Sequence, residues 1–454
     1  MSDSQPECTI KHPLSIISLF LLLLAMAWPA DAQRRARSTA PGGRDQVFVE
    51  AAQFPSDSTG RARIDVFTRV AYDFMVFERS ETMQRDSVFS GGIEVSTHIR
   101  QGEQTLIAEH SSAEAFTHDY ESTGLRDRYL LVHHVFHVSP GTYEILSTVS
   151  DRVSTRRHGE QLRIKAVPLD SLSWGLGRPV SLTHDTQNAR DRFAVLGFQG
   201  ALPFAEPALV GIPVSEGLDA DWHVRLRRML PDEEEETVFD DTVQPAALLS
   251  GLRPVASAGG EVENFALSTV DAAAGDVVIL ELPFAGFEIG PYILDLRIHA
   301  PGRSDSVSFR TRIYWRDMPL SLRNIEFAIR AMRYILTREE FEEMLSGDRR
   351  EMRERFRAFW DAKDATPETE YNEMMTEYFR RVDEANRKFQ TLYERMGALT
   401  DRGKVYILFG PPEETQRTLN VDEPTRETWY YPSLNKTFQF IDRAGNGNFK
   451  LYEE

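Results

Sequence analysis

Between Val47 and about Lys165 the chain alternates apolar and polar residues in short runs such as ARIDVFTRV, SVFSGGIEVSTHI, RYLLVHHVFHV and TYEILSTV. The same alternation returns from about Pro179 to Trp315, in WHVRLRRML, VVILELPF, YILDLRIHA and SVSFRTRIYW. A period of two, rich in Val, Ile, Thr, Phe and Tyr and broken by Gly, Ser, Asp or Pro clusters, predicts antiparallel strands half-buried on a core. After Leu320 the period changes to about 3.6, that of a helix. The length of 454 residues requires about three cores. The expected fold is multidomain, mainly β plus α+β. Two immunoglobulin-like antiparallel β-sandwiches, over residues 46–167 and 179–315, are followed by a helical segment and a small antiparallel sheet over 320–454.

A faint internal repeat supports two related sandwiches. Pro140-Gly141-Thr142-Tyr143 and Ile289-Gly290-Pro291-Tyr292 each open a strand with Gly-x-Tyr, and each leads through a polar turn into a closing strand. A tyrosine at such a corner is expected to bond backbone through its hydroxyl. The linkers are expected at 167–179 and 316–320, where prolines interrupt strand pairing.

Residues Leu14 to Trp28 form a 15-residue apolar run, short for a membrane span of about 20 residues and suited to the hydrophobic region of a signal peptide. Ala30-Asp31-Ala32 supplies a small-residue cleavage site before Gln33. The expectation is a signal peptide over 1–32, a disordered linker over 33–45 and no membrane span after cleavage; an uncleaved anchor is the alternative. Cys8 is the only cysteine, so the mature chain would be exported without disulfides and held by its cores. The expected location is the periplasm or the outer membrane, or release from the cell.

Formal charge is -18. Removal of residues 1–32 takes away three acids and one base and leaves -16. Such a surface repels phosphate backbones and argues against a nucleic-acid partner.

In the C-terminal part, a first helix is expected from Leu322 to Leu336 behind Ser321, and a second behind the capping box of Thr337 and Glu340. A third runs from Arg349 to Trp360, and a long one opens at Pro367 and carries an apolar stripe from Tyr371 to Met396. Gly397 is read as its left-handed stop. The stretch GALTDRGKVYILFGPPEE then reads as a polar reversal, a strand over Lys404–Phe409 and a proline exit. Further strands are expected at Glu427–Tyr431, Thr437–Asp442 and Phe449–Tyr452, giving a sheet over 404–453.

At these residues the chain resembles the GWxTD domain family of exported bacterial proteins. The likeness covers GALTDRGKVYILFGPPEE, ETWYYP and FQFIDRAGNGNFKLYE, with Ala398 standing where the family has its tryptophan. The resemblance implies domain identity and export and brings no reaction with it. The binding residues this segment offers are Asp401, Arg402, Tyr406, Glu413, Trp429, Tyr430 and Asp442. Turn chemistry explains these acids as holders of backbone.

The reading that follows is a non-enzymatic envelope protein that contacts other envelope proteins, with no catalytic residue, metal or cofactor assigned. One alternative is a hydrolase using Asp401 with Glu413 or Asp442, since paired carboxylates cleave glycosidic bonds at about 5 to 9 Å. The other is a glycan-binding protein that stacks sugars on Trp429, Tyr430 and Tyr431. His133 and His137 share a strand face about 13 Å apart and His134 points away, so one zinc ion cannot take all three. Asp232–Glu236 with Asp240 and Asp241 lack the spacing of a calcium loop and read as a solvated hairpin loop.

Overall fold

The computed structural model describes residues 46–453, apart from 81–87, 169–175, 185–192, 215–219, 231–233, 255–263, 271–274, 284–286, 301–302, 368–370, 393 and 419–422. The apolar run at Leu14–Trp28, the cleavage site and the 33–45 linker lie outside the described residues. No helix among the described residues is long and apolar enough to cross a membrane. The fold is mainly antiparallel β, followed by short helices and a small antiparallel sheet.

The first strands are β1 (Val47–Phe54), β2 (Ala62–Ala71), β3 (Glu78–Ser80), β4 (Val88–Gln101), β5 (Gln104–Thr117), β6 (Tyr129–Val138), β7 (Gly141–Asp151) and β8 (Arg157–Ala166). They form one sheet in the order β1-β2-β6 and a second in the order β3-β4-β7-β8, with β5 paired to β4. The next are β9 (Val180–His184), β10 (Phe193–Val195), β11 (Leu202–Pro203), β12 (Ala208–Val214), β13 (Asp221–Met229) and β14 (Glu235–Val243). These are followed by β15 (Pro245–Ser250), β16 (Leu252–Pro254), β17 (Phe265–Thr269), β18 (Asp276–Leu282), β19 (Gly290–Ala300) and β20 (Arg303–Tyr314). Their sheets run β15-β18-β12-β9-β10-β17-β16 and β11-β20-β19-β13-β14.

Three apolar layers separate these four sheets. Ile64, Val66 and Phe136 pack against Ile93, Val95 and Ile145 within the first pair. Val210, Ile212 and Leu280 pack against Trp222, Val224 and Leu294 within the second. Between the pairs, Phe54 and Phe67 pack against Leu182, Val195, Phe265 and Ile279. The β1-β2-β6 sheet is therefore covered on both faces, and β1 and β2 are buried at every position. Alternation in the sequence predicts a solvent face for Arg63, Asp65 and Arg69, but that face meets the second pair of sheets.

The charged side chains on this hidden face find partners. Arg63 donates to both oxygens of Asp65 at 2.9 and 2.7 Å and to the Pro254 carbonyl at 3.1 Å. His133 Nε2 lies 2.8 Å from the same Asp65. Arg69 donates to Asn264 at 3.1 Å and lies over the rings of Phe198, Tyr129 and Phe265 at 4.5, 5.0 and 5.7 Å. Buried charges persist when paired in this way. The three histidines of β6 go separate ways: His133 to Asp65, His134 to Thr97 and Ser111, and His137 to Asp57.

Both tyrosine corners form. Tyr143 Oη donates to the Ser139 carbonyl at 2.9 Å and Tyr292 Oη to that of Glu288 at 2.8 Å. Residues 232 and 233 of the acidic run expected as a loop lie outside the described residues, but Glu235, Glu236, Asp240 and Asp241 belong to β14, which faces Arg225, Arg227 and His223 on β13. Asp240 pairs with Arg225 at 2.7 Å and with His223 at 2.6 Å, and Glu235 pairs with Arg227. Cross-strand pairing of opposite charges stabilises a strand where like charges alone would favour a loop.

After β20 the chain forms a 3-10 turn at Leu320–Arg323 and then α1 (Ile325–Ala331), capped by Asn324 rather than by Ser321. The capping box of Thr337 and Glu340 starts α2 (Arg338–Met344), and Asp348 with Glu351 starts α3 (Arg349–Asp361). The long helix is shorter than its apolar stripe suggests: α4 spans Glu373–Phe389 behind the cap Asn372. Phe379, Val382, Ala385 and Phe389 are buried on it, whereas Met374 and Leu392 face solvent.

Candidate functional site

The GALTDRG stretch is built on two close approaches. A β-carbon on Gly397 would stand 2.5 Å from both the Ala385 carbonyl oxygen and the Gln390 nitrogen. One on Gly403 would stand 2.1 Å from the Gly397 carbonyl oxygen. Neither glycine has left-handed backbone, so proximity, and not the helix stop predicted for Gly397, requires them. Gly397–Leu399 forms a 3-10 turn and Thr400 then caps a helix by accepting from Gly403 N at 3.0 Å.

That helix, α5 (Asp401–Phe409), replaces the strand expected over Lys404–Phe409. Its apolar run is buried, and a buried segment of this length has no periodicity by which to tell helix from strand. The signals that identify it are the Thr400 cap, Asp401 in the first turn, Gly410 at φ 83° and the prolines beyond. Ala398 is fully buried, and its carbonyl accepts from Tyr334 Oη at 3.0 Å. Burial pushes that phenol up to about 12.

The sheet beyond α5 runs β21 (Glu414–Thr418), β22 (Thr425–Tyr431), β23 (Lys436–Asp442) and β24 (Lys450–Glu453) in that order. Sequence reasoning missed β21, which follows the proline exit directly and is exposed along its length.

Each acid singled out in the sequence holds backbone. Asp401 Oδ2 accepts from Leu451 N at 2.9 Å, tying α5 to β24. Asp442 accepts from the amides of Ala444, Asn446 and Gly447 at 3.2, 3.3 and 2.7 Å and so closes the loop to β24. Glu413 accepts from Ser433 N at 3.1 Å. A cleft of about 380 Å³ opens beside this loop, lined by Arg443, Asn446, Asn448 and Tyr452 among others, and neither Asp401 nor Asp442 is in its lining.

Arg402 lies at the centre of the arrangement. Its guanidinium donates to Glu427 and to the Gly447 carbonyl, both at 3.3 Å, and lies over the rings of Phe449 at 4.2 Å and Phe389 at 5.0 Å. Burial pushes its pKa below the ordinary arginine value, and Glu427 opposes that shift. Glu427 also accepts from Trp429 Nε1 at 2.7 Å. Glu427 was not among the residues the sequence singled out. Its position two residues before Trp429, on the same strand face, is the signal that could have found it.

The aromatic residues divide by face. Trp429 is 2% exposed and packs on Phe389 and Phe440 at 5.4 and 4.8 Å between ring centres. No face of Trp429 is open to stack a sugar, which corrects the glycan-platform reading. Tyr431 is buried and donates to the Gly410 carbonyl at 2.9 Å. Tyr430, on the other face, donates to Gln416 at 3.1 Å. Tyr406 is buried in the core, bonded to Glu384 with Lys388 Nζ 3.5 Å from its hydroxyl. Together these residues form a hub that locks α4, α5 and the sheet.

No curated protein matches this chain. Among solved structures it is similar to the C-terminal domain of the Streptococcus pyogenes antigen I/II-family protein AspA, at 8% identity and a TM-score of 0.16, covering 59% of this chain and 100% of that one. The C-terminal domain of the Streptococcus agalactiae AgI/II polypeptide BspA gives 8% identity and a TM-score of 0.15, covering 58% and 99%. At those scores the likeness carries no argument. The family model described as the GWxTD domain matches residues 307–453. The match includes α1 to α5, the glycine-paired turn and the closing sheet, and the C-terminal region of this chain is a GWxTD domain.

Proposed function

We propose that the chain is a non-enzymatic, exported cell-envelope protein whose stacked sheets carry the GWxTD domain into contact with other envelope proteins. One observation carries the reading: Asp401, Glu413 and Asp442 accept hydrogen bonds from Leu451, Ser433 and the 444–447 amides, so the acids hold the domain's own backbone. The apolar run at Leu14–Trp28 with its cleavage site supports export, and the acidic charge of the chain fits a soluble surface.

The test uses full-length protein with a C-terminal tag, expressed in its own cells. Sequencing the mature N-terminus from periplasmic and membrane fractions should give Gln33. Affinity capture from crosslinked envelope extract should recover the same partner in repeated preparations. Intact Met1 in the cytoplasmic fraction, or captures that never share a partner, would overturn the proposal.

A further inference from the structure

The second pair of sheets meets the GWxTD domain at a cleft of about 570 Å³, within the size range of ligand sites. One wall is the loop from Leu196 to Glu206. Its backbone is left-handed at Gly197, Gln199, Gly200 and Ala205, with φ of 67°, 61°, 72° and 60°. Two of these are not glycine, and such conformations persist only where surrounding structure imposes them. Here it does. Buried Glu50 accepts from Gly200 N at 2.9 Å, and Thr311 Oγ1 donates to the Gly200 carbonyl at 2.7 Å. Phe204 N donates to the Tyr314 carbonyl at 3.1 Å, and β11 pairs in parallel with β20. The Ala205 turn thus fixes Phe204 and Glu206 on either side of itself at the cleft.

The cleft is lined by aromatic rings and by acids. Trp315 packs between Phe204, at 5.1 Å, and Tyr371, at 5.7 Å and nearly perpendicular. Glu206 and Asp317 are exposed and have no ion pair among the described residues. Glu373 accepts from Thr366. Against these three carboxylates stand Arg316 and the imidazole of His184. Aromatic rings beside unpaired carboxylates attract organic cations.

We infer that this cleft receives a basic side chain, lysine or arginine, presented by an extended segment of a partner protein. The inference rests on the interaction reading above and names the chemistry of the partner. Charge complementarity selects the occupant: within the lining three carboxylates face one guanidinium and one imidazole.

The test labels the full mature protein with 5-fluorotryptophan, assigns Trp315 through Trp315→Phe, and follows its fluorine resonance. The probes are acetyl-Ala-Lys-Ala-Lys-Ala-amide, the same peptide with norleucine for lysine, and choline chloride. The lysine peptide should shift the resonance, the norleucine peptide should not, and the double variant Glu206→Gln, Asp317→Asn should bind at least tenfold more weakly. Both changes are at exposed positions, and an unchanged melting temperature verifies folding. Equal response to norleucine, response to choline alone, or no response overturns the inference. A partner captured equally by wild type and the double variant sinks this site and leaves the interaction reading standing, whereas absence of any partner removes that reading first.

Discussion

Gly403 approaches Gly397 so closely that a β-carbon on the first would lie 2.1 Å from the carbonyl oxygen of the second. The obstacle is backbone in a 3-10 turn that is itself pressed against the end of α4. Gly403→Ala should therefore cost more than the usual 1–3 kcal/mol of overpacking, about 3 kcal/mol or above. Chemical denaturation read by tryptophan fluorescence checks this; a loss below about 1 kcal/mol would show that the two segments slide apart freely.

Asp65 is fully buried between Arg63 and His133. Asp65→Ala strands the Arg63 guanidinium at the interface between the sheet pairs, and removing one partner of a buried ion pair costs about 3–5 kcal/mol. Urea unfolding of the variant should show that loss. Exchanging Arg63 as well, in the double variant Arg63→Met, Asp65→Leu, should restore much of it, and no recovery would mean that the pair contributes through shape instead of charge.

His134 is buried between Thr97 and Ser111, and burial pushes its pKa down to about 4 from an ordinary value of 6.5. The unfolded chain then binds a proton that the folded chain refuses. Stability is complete above pH 6.5 and falls as pH drops toward 4, by up to about 3 kcal/mol from this group. His134→Gln should flatten the pH dependence of unfolding in that window, and an unchanged slope would exclude His134 as its source.

Arg402 and Glu427 are each about 14% exposed at the side chain and meet at 3.3 Å. Glu427→Ala removes the countercharge of Arg402 and the acceptor of Trp429 together, for a cost of about 3 kcal/mol. Arg402→Lys keeps the charge but loses the planar group over Phe449 and should cost about 1–2 kcal/mol. Melting temperatures in that order, with Glu427→Ala lowest, are expected; the reverse order would place the stabilisation in ring stacking.

Local features of the fold were legible where chemistry is local. The Thr337 capping box and the Tyr143 and Tyr292 corners form as their spacing predicts, because each is satisfied within four residues. The helix at Asp401–Phe409 was misread because a short apolar run gives no period, although the Thr400 cap and Gly410 were in plain view. Arg63 and Asp65 looked like a wetted strand face because their partner surface comes from residues more than a hundred positions away. At the candidate site Asp442 closes its own loop as turn chemistry implies, whereas Asp401 holds the amide of Leu451 on a distant strand, a partner that local turn chemistry does not supply. The place of Glu427 depended on how α5 crosses the sheet, which only tertiary packing determines.

The sheet of β1, β2 and β6 has no outer side. Dividing the chain between Ala166 and Val180 would leave one fragment displaying Phe54 and Phe67 and the other Leu182, Phe265 and Ile279, and both would adhere to whatever they met. Evolution faces the same restriction: an exchange of either half with another lineage must import matching residues on the other, so these first two thirds should be inherited as one unit.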